Sequence, residues 1–164
     1  MVIDLKKVFV NDDSSLDISH TKDLSNLEFM GIYPLKSPVS LKGTVLNKAS
    51  LVRLDAEICY DFSAGCDRCG EETVRTHKIK LAKSLATSIE GDDSDTIILV
   101  PDMKLDLDEL IYSEVVVDLP MKHLCRDDCK GICFKCGKNL NKGKCDCPEK
   151  EIDPRLAPLA ELLK

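Results

Sequence analysis

Six of the nine cysteines of this chain crowd into one short stretch, LCRDDCKGICFKCGKNLNKGKCDC. Two pieces of it, Cys133-x-x-Cys136 and Cys145-x-Cys147, together supply four thiols. Four is the number of ligands that a structural zinc ion takes in a tetrahedral site. A two-residue spacer lets the chain turn back so that both thiols reach one ion, and the glycine after Cys136 suits such a turn because it tolerates positive φ. The spacing therefore predicts a zinc site at these four cysteines, with disulfides or free thiols as the alternatives.

A second set of four thiols is available if Cys66 and Cys69, which lie far upstream, join Cys125 and Cys129. The sequence leaves two alternatives open. Cys66-x-x-Cys69 could form a redox couple, or one ion could be held by a mixed selection of the downstream cysteines. We therefore expect one or two zinc ions.

Two other residues bear on this assignment. Cys59 lies in a strand-like run and is left over from both sets, so we expect it to pack as a small core residue. His123 is next to the cysteine-rich stretch and could replace a thiolate. A lone histidine of this kind is more often a solvated surface residue.

Composition bounds the class of protein. With 164 residues, of which 43% are hydrophobic, the chain suits one domain with a small appendage. Its first residues lack a basic region followed by a long apolar stretch, and no run of about 18 apolar residues occurs, so neither a secretory signal nor a membrane span is expected. Nine cysteines then indicate metal binding in a reducing cytoplasm rather than disulfides.

Charge is distributed unevenly along a chain whose net charge is −6. Residues 90–118 hold ten acids and one lysine, whereas residues 122–150 hold eight Lys or Arg and four acids. The acidic total argues against indiscriminate nucleic-acid binding. The basic stretch is still a candidate to bind phosphates, which requires Lys and Arg clustered on one face.

The side chains between and beside the downstream cysteines are candidates for a binding surface. Phe134 could stack on an unpaired base of RNA, or it could cover the metal site. The lysines could contact RNA phosphates or a protein partner, or they could only offset the negative charge of four thiolates around one zinc ion. These lysines are Lys130, Lys135, Lys138 and Lys142.

Hydrophobic alternation of period two marks several strands, each with one buried and one solvated face. Short connections between them favour an antiparallel sheet. The polar residues 11–19 are expected to form a loop, and Cys66 and Cys69 fall between two strands. The predicted strands are residues 1–10, 39–46, 51–62, 74–89 and 96–100.

The pattern changes to a helical period at residues 106–119, where apolar residues recur every three or four positions. Asp106 can cap the N-terminus of this helix, and Pro120 ends it. A second helix is expected near the C-terminus, after Asp153-Pro154.

The sequence thus predicts an α+β fold in two parts. Residues 1–120 are expected to form an antiparallel β-sheet or partly open barrel packed by one or two helices. Residues 121–164 are expected to form a cysteine-rich zinc module and a C-terminal helix.

Enzymatic activity is not expected. A nuclease would need clustered acids for metal ions, but Asp92, Asp93 and Asp95 sit in an acidic turn with no basic partner nearby. A zinc hydrolase keeps one open coordination position, whereas a site of four thiolates is closed. A thiol oxidoreductase would need its CxxC pair at a helix N-terminus, and strands flank Cys66 and Cys69.

The order of these motifs resembles the YceD family, whose members are linked to accumulation of large-subunit ribosomal RNA. The resemblance implies a role in ribosomal RNA synthesis, processing or stability, with ribosomal RNA or a ribosome-associated protein as partner and no small-molecule substrate. It supplies no catalytic residues. A cytoplasmic thiol redox or metal-responsive protein is the alternative. The motifs that carry the resemblance are Cys66-Asp67-Arg68-Cys69-Gly70, Leu119-Pro120, Cys129-Lys130-Gly131-Ile132-Cys133, Cys136-Gly137, Asn139-Leu140-Asn141, Cys145-Asp146-Cys147 and Ile152-Asp153-Pro154-Arg155-Leu156.

Overall fold

A computed structural model describes residues 1–88 and 96–147 of the chain. It divides into two compact units. The sheet unit comprises Met1–Ala64 and Glu72–His123, and the cysteine unit combines Gly65–Glu71 with Leu124–Lys164. The predicted C-terminal helix and the acidic turn around Asp93 lie outside the described residues.

The sheet unit is built on five strands in the order β2-β3-β4-β5-β6, which curl into half a barrel. A separate two-stranded sheet pairs β1 with β7. The described residues also form two α-helices, α1 and α2. Sheets with a few helices of this kind confirm the predicted α+β class. The elements are β1 (Val2–Asp4), α1 (Lys6–Val10), β2 (Ser15–Lys22), β3 (Val39–Lys48), β4 (Leu51–Gly65), β5 (Glu72–Ala86), β6 (Ile97–Leu99), β7 (Lys104–Asp106) and α2 (Leu107–Asp118).

The central strands follow from the alternation in the sequence. In the antiparallel pair β3–β4, Leu41 lies opposite Ile58 and Val45 lies opposite Leu54, and all four side chains are fully buried. Cross-strand apolar pairs of this kind set the register, because a slip by one residue would turn every buried side chain to solvent.

The N-terminal residues differ from the prediction of one strand over residues 1–10. Only β1 pairs in a sheet, and α1 follows at once. Leu5, Val8 and Phe9 have the i, i+3, i+4 spacing of one helical face; Leu5 and Val8 are buried in the core, and Phe9 packs against it. That spacing outweighs the short alternation that suggested a longer strand.

Residues 11–19 do not form the predicted loop throughout, since β2 begins at Ser15 and pairs with β3 in antiparallel fashion. The strand was missed because it lies at the edge of the sheet and buries only Ile18 fully. An edge strand with one solvated face needs few apolar residues.

The last strand of the sheet also departs from the expected antiparallel order. β6 runs parallel to β5, with Ser84 opposite Ile97 and Ala86 opposite Leu99. Alternation identifies the buried face of a strand but not its direction, so the sequence could not specify this pairing.

The helix α2 confirms the predicted period and cap. Its side chains Leu107, Leu110, Ile111 and Val115 are buried in the core of the sheet unit. The Asp106 carboxylate accepts a hydrogen bond from the Asp108 N–H group, as an N-cap residue does. Within the part of the chain that the structure describes, no helix has the length and apolar content to cross a membrane.

The connection between β4 and β5 carries the first two candidate ligands. Its six residues, 66–71, are too few for a parallel crossover, so the two neighbouring strands form a hairpin. The Cys66 N–H group donates to the Glu71 carbonyl at 2.9 Å, which closes the tip.

Candidate metal centres

Both CxxCG segments fold into the same tight turn. In the first, the Gly70 N–H group donates to the Cys66 carbonyl at 2.8 Å; in the second, the Gly137 N–H group donates to the Cys133 carbonyl at 2.8 Å. Gly70 and Gly137 both have φ of +72°, a conformation that side chains disfavour. Each turn directs two thiols toward the same side of the chain, as binding of one ion requires.

The structure brings four of the predicted ligands together at the hairpin tip. The Sγ atoms of Cys66 and Cys129 are 3.8 Å apart, and those of Cys69 and Cys125 are 3.7 Å apart. These four residues, Cys66, Cys69, Cys125 and Cys129, form what we call the hairpin cluster, and their sulfur atoms all lie within 4.8 Å of one another.

The remaining four predicted ligands form a second group. Their sulfur atoms likewise lie within 4.8 Å of one another, and no disulfide links any of the nine cysteines. Cys133 is buried, whereas Cys136 is exposed. We call this group, Cys133, Cys136, Cys145 and Cys147, the tail cluster.

The thiols of the hairpin cluster have very different pKa values. Burial alone would raise the pKa of the Cys66 thiol, but N–H groups of the surrounding backbone, that of Cys125 foremost, hold its pKa at about 6. Burial and then the hydrogen bond with Cys129 raise the pKa of Cys125 to about 12. A bound divalent cation would change these values, because thiols that coordinate such an ion lose their protons.

The tail cluster has the same character. The backbone N–H groups of Cys136 and Lys135 lower the pKa of Cys133 to about 6. The hydrogen bond with Cys136, and then burial, raises the pKa of Cys147 to about 12. Both clusters could therefore hold a metal ion, since their donor sets match those of tetrahedral thiolate sites.

The four predicted lysines divide into two kinds. The Lys138 ammonium group donates to the Lys144 carbonyl at 2.7 Å, and Lys142 pairs with Glu71 at 3.5 Å. Lys130 and Lys135 are exposed, and the described residues provide no partner for either ammonium group. Of the four lysines, we therefore call Lys130 and Lys135 uncommitted, meaning that their ammonium groups have no partner among the described residues.

The Phe134 side chain is largely exposed to solvent. Its side chain is 69% exposed, and that of Ile132, two residues earlier, is 51% exposed. An aromatic ring held between two candidate ligands and open to solvent is available for contact with another molecule.

His123 and Cys59 belong to neither cluster. His123 is 5% exposed rather than solvated, and its Nε2 atom hydrogen-bonds the Thr73 hydroxyl at 2.8 Å. Cys59 is only half-buried, and its thiol donates to the Glu57 carboxylate at 3.4 Å. Burial, followed by that hydrogen bond, raises the pKa of Cys59, so this thiol stays protonated.

Two residues of the hairpin cluster's surroundings were not predicted from the sequence. The Arg68 guanidinium donates to the Cys129 carbonyl at 2.8 Å, and the Asn141 amide donates to the Cys129 sulfur at 3.2 Å. In the sequence, Asn141 was noted only as part of a motif that resembles the YceD family. Its hydrogen bond with the Cys129 sulfur could not be predicted, because it depends on how the loop folds back.

The fold and the two clusters define a class of protein: a small half-barrel of β-strands that carries a cysteine-rich unit with two potential metal sites. Comparison with protein families then identifies the group. Residues 54–163 match the family described as large ribosomal RNA subunit accumulation protein YceD, and the chain belongs to this YceD family.

Individual relatives agree with this assignment. The chain is 30% identical to an Arabidopsis thaliana protein named large ribosomal RNA subunit accumulation protein YCED homolog 1, chloroplastic, over 91% of this chain and 54% of the relative. A Zea mays protein of the same name is 25% identical over 84% of this chain and 57% of the relative. An uncharacterized Bacillus subtilis protein, YlbN, is 28% identical over 78% of this chain and 76% of the relative. The chain thus spans little more than half the length of the two plant relatives, and no solved structure matches it.

Proposed function

We propose that this protein is a non-enzymatic factor that holds one zinc ion in each cluster and supports accumulation of large-subunit ribosomal RNA in the cytoplasm. It does so by binding RNA through its cysteine unit. Zinc has a structural role in this proposal: it holds the RNA-binding residues in place.

The sulfur–sulfur distances carry the zinc assignment. Four ligands at about 2.3 Å from a central zinc ion, at tetrahedral angles, lie about 3.8 Å from one another. In the hairpin cluster, the Cys69 and Cys125 sulfur atoms are 3.7 Å apart and those of Cys66 and Cys129 are 3.8 Å apart. The grouping of Cys66 and Cys69 with two further thiols also favours metal binding over a redox couple of these two residues alone.

The closed donor sets support a non-enzymatic role. Catalytic zinc sites keep one position for water or substrate, whereas sites with four cysteine ligands are structural. Such sites contribute folding free energy directly. Because four cysteines fill the coordination sphere, a partner would contact surface side chains rather than the metal ion.

RNA binding is supported by the family description and by the exposed residues of the cysteine unit. Lys130 and Lys135 have uncommitted ammonium groups that could bind phosphates, and the open ring of Phe134 could stack on an unpaired base. Base stacking on one aromatic ring contributes about 1–3 kcal/mol and tolerates any sequence.

The proposal is tested by neutralising the two uncommitted lysines together, Lys130→Gln with Lys135→Gln. If both contact phosphates, RNA binding in vitro should weaken, and the slope of log K against log salt should fall by about 0.7 for each lost contact to single-stranded RNA. The level of large-subunit ribosomal RNA in cells should fall while zinc content is unchanged.

The matched control removes two charges from the sheet unit, Lys78→Gln with Lys80→Gln, both on β5 and both exposed. These changes should leave RNA binding and its salt dependence unaltered. Equal losses in the two double variants, or full RNA binding by the variant of the cysteine unit, would contradict the proposal.

A protein partner is the second candidate, favoured by the exposure of both Ile132 and Phe134. Contact through apolar surface would make binding nearly insensitive to salt. Ile132→Ser would then abolish the effect on ribosomal RNA as fully as Phe134→Ser does, whereas RNA stacking depends on the aromatic ring alone.

A further inference from the structure

The loop between the CxxC and CxC pairs of the tail cluster reaches the hairpin cluster. This loop, residues 137–144, is bracketed by Cys136 and Cys145. The side-chain amide of Asn141, in the middle of the loop, donates to the Cys129 sulfur of the other cluster at 3.2 Å. This short loop therefore links two ligands of the tail cluster and also hydrogen-bonds a ligand of the hairpin cluster, although the two clusters share no cysteine.

The orientation of the Asn141 amide is determined by its second partner. Its Oδ1 atom accepts the Lys130 N–H group at 2.8 Å. A backbone N–H group can only donate, so the oxygen must face Lys130 and the NH₂ group must face the sulfur. The side chain thus donates a hydrogen bond to the Cys129 sulfur rather than accepting one.

Backbone contacts hold the loop in this position. The Leu140 N–H group donates to the Gly131 carbonyl at 2.9 Å, and Ile132 forms a β-bridge with Asn139. The Asn139 side chain also accepts the Asn141 N–H group at 2.9 Å. These contacts place Asn141 beside Cys129, and the loop that makes them is anchored at both ends by ligands of the tail cluster.

A donor to a ligating thiolate stabilises the bound metal. Four thiolates around one divalent ion leave a net charge of about −2, and N–H groups that point at sulfur offset part of it. Partners of this kind that touch a ligand rather than the metal change metal affinity by about 10- to 100-fold when they are removed.

We propose that Asn141 is a positioning residue through which the loop of the tail cluster stabilises the metal-bound hairpin cluster. The inference rests on the zinc binding proposed above. A tail cluster with metal closes the loop at both ends and so keeps the Asn141 amide on the Cys129 sulfur. By linkage, each cluster raises the metal affinity of the other by the same factor.

The test is Asn141→Asp, which keeps the acceptor for the Lys130 N–H group but replaces the donor to sulfur with a negative charge. Affinity of the hairpin cluster for zinc is measured by competition with a chelator in the full chain. We expect it to fall at least about tenfold. In the cobalt-loaded protein, the sulfur-to-cobalt absorption should move to lower energy, because the thiolate loses its hydrogen bond.

Asn139→Asp is the matched control, since it makes the same change two residues away. Asn139 offers only its oxygen to the Asn141 N–H group, and an aspartate preserves that bond. The zinc affinity of the hairpin cluster and the cobalt spectrum should therefore stay as in the parent protein. Retention of metal by the tail cluster reports that each variant is folded.

Coupling is tested by removing the tail cluster with Cys145→Ser and Cys147→Ser. Zinc affinity of the hairpin cluster should fall in the parent background and should not fall further when Asn141→Asp is already present. The inference would be overturned if Asn141→Asp had no effect on zinc affinity, or only the same effect as Asn139→Asp. It would also be overturned if the losses of affinity from Asn141→Asp and from removal of the tail cluster multiplied in the combined variant. None of these outcomes would affect the zinc proposal. A parent protein whose hairpin cluster binds no metal would contradict both.

Discussion

At the scale of single residues, Tyr60 places a polar hydroxyl group in the core of the sheet unit. Its ring is 2% exposed and stacks on His77 with centroids 5.1 Å apart, and its hydroxyl donates to the Asp118 carboxylate at 2.7 Å. Burial, and then the hydrogen bond and charge of Asp118, raises the pKa of Tyr60 well above its usual value of 10.0.

This shift predicts a loss of stability at alkaline pH. Because the folded state keeps the Tyr60 proton while the unfolded state releases it, the contribution is fully present below pH 10 and declines as pH rises from there toward the folded pKa. Tyr60→Phe should lower the free energy of unfolding at neutral pH by about 2 kcal/mol and flatten the alkaline decline. Denaturant titrations between neutral and alkaline pH measure both effects.

Tyr33→Phe is the control, since Tyr33 is 56% exposed. It should leave both the stability and its pH dependence unchanged. An alkaline decline that is as steep in Tyr60→Phe as in the parent would mean that other groups cause it.

At the scale of elements, the turn of Gly131 positions the hairpin cluster. Gly131 has φ of +74°, and a Cβ atom there would lie 3.0 Å from the Arg68 carbonyl oxygen. The same oxygen accepts the Ile132 N–H group at 3.1 Å. The backbone of Gly131 therefore packs closely against the CxxC turn, and a Cβ atom there would push the turn away by a few tenths of an ångström.

Gly131→Ala should lower the zinc affinity of the hairpin cluster more than Gly70→Ala does. Both changes place alanine at a left-handed φ, which costs about 1–2 kcal/mol, but the Cβ atom at position 70 would meet nothing within 4 Å. Only Gly131→Ala adds a tight contact with the carbonyl oxygen of Arg68. Chelator competition on the two variants measures the difference, and equal affinities would show that the close approach to Arg68 has no consequence for the metal.

The elements also show how far the sequence could predict this structure. Alternation located β3 and β4, and helical spacing located α2, because each of these buries a regular apolar face. β5 was located by the apolar residues of its second half, of which Leu81 and Leu85 are buried. The edge strand β2 has a single fully buried residue and the direction of β6 leaves no trace in local pattern, so neither could be predicted.

The clusters follow the same division. The tail cluster is local in sequence, and its spacing alone specified its members. The hairpin cluster needed the fold, since Cys66 and Cys129 meet only when the β4–β5 hairpin tip lies beside the segment after Leu124. The contact of Asn141 with sulfur was beyond prediction because it depends on the path of a loop without apolar periodicity.

At the scale of the whole molecule, the hairpin cluster joins two distant parts of the chain. Its ligands lie on the β4–β5 connection and on the segment from Leu124 onward, whereas the hydrophobic core lies entirely within the sheet unit. Removing metal from this cluster should therefore release the C-terminal segment from the hairpin tip without unfolding the sheet.

We expect Cys69→Ser to have this effect. Amide hydrogen exchange should become faster at Cys129 and Ile132, while amides of β3 and β4 keep the protection of the parent protein. Cys59→Ser is the control, because Cys59 is the one cysteine outside both clusters. It should leave the exchange of both sets of amides as in the parent protein. Loss of protection throughout β3 and β4 in Cys69→Ser would show that the sheet unit depends on this cluster.

Native mass spectrometry with elemental analysis, on protein purified without added metal, tests the central claim most directly. Eight cysteines in two groups of four predict two zinc ions for each chain, and Cys69→Ser and Cys136→Ser should each lower the number to one. A folded cysteine unit that contains no metal, or a single ion that survives both substitutions, would contradict the account.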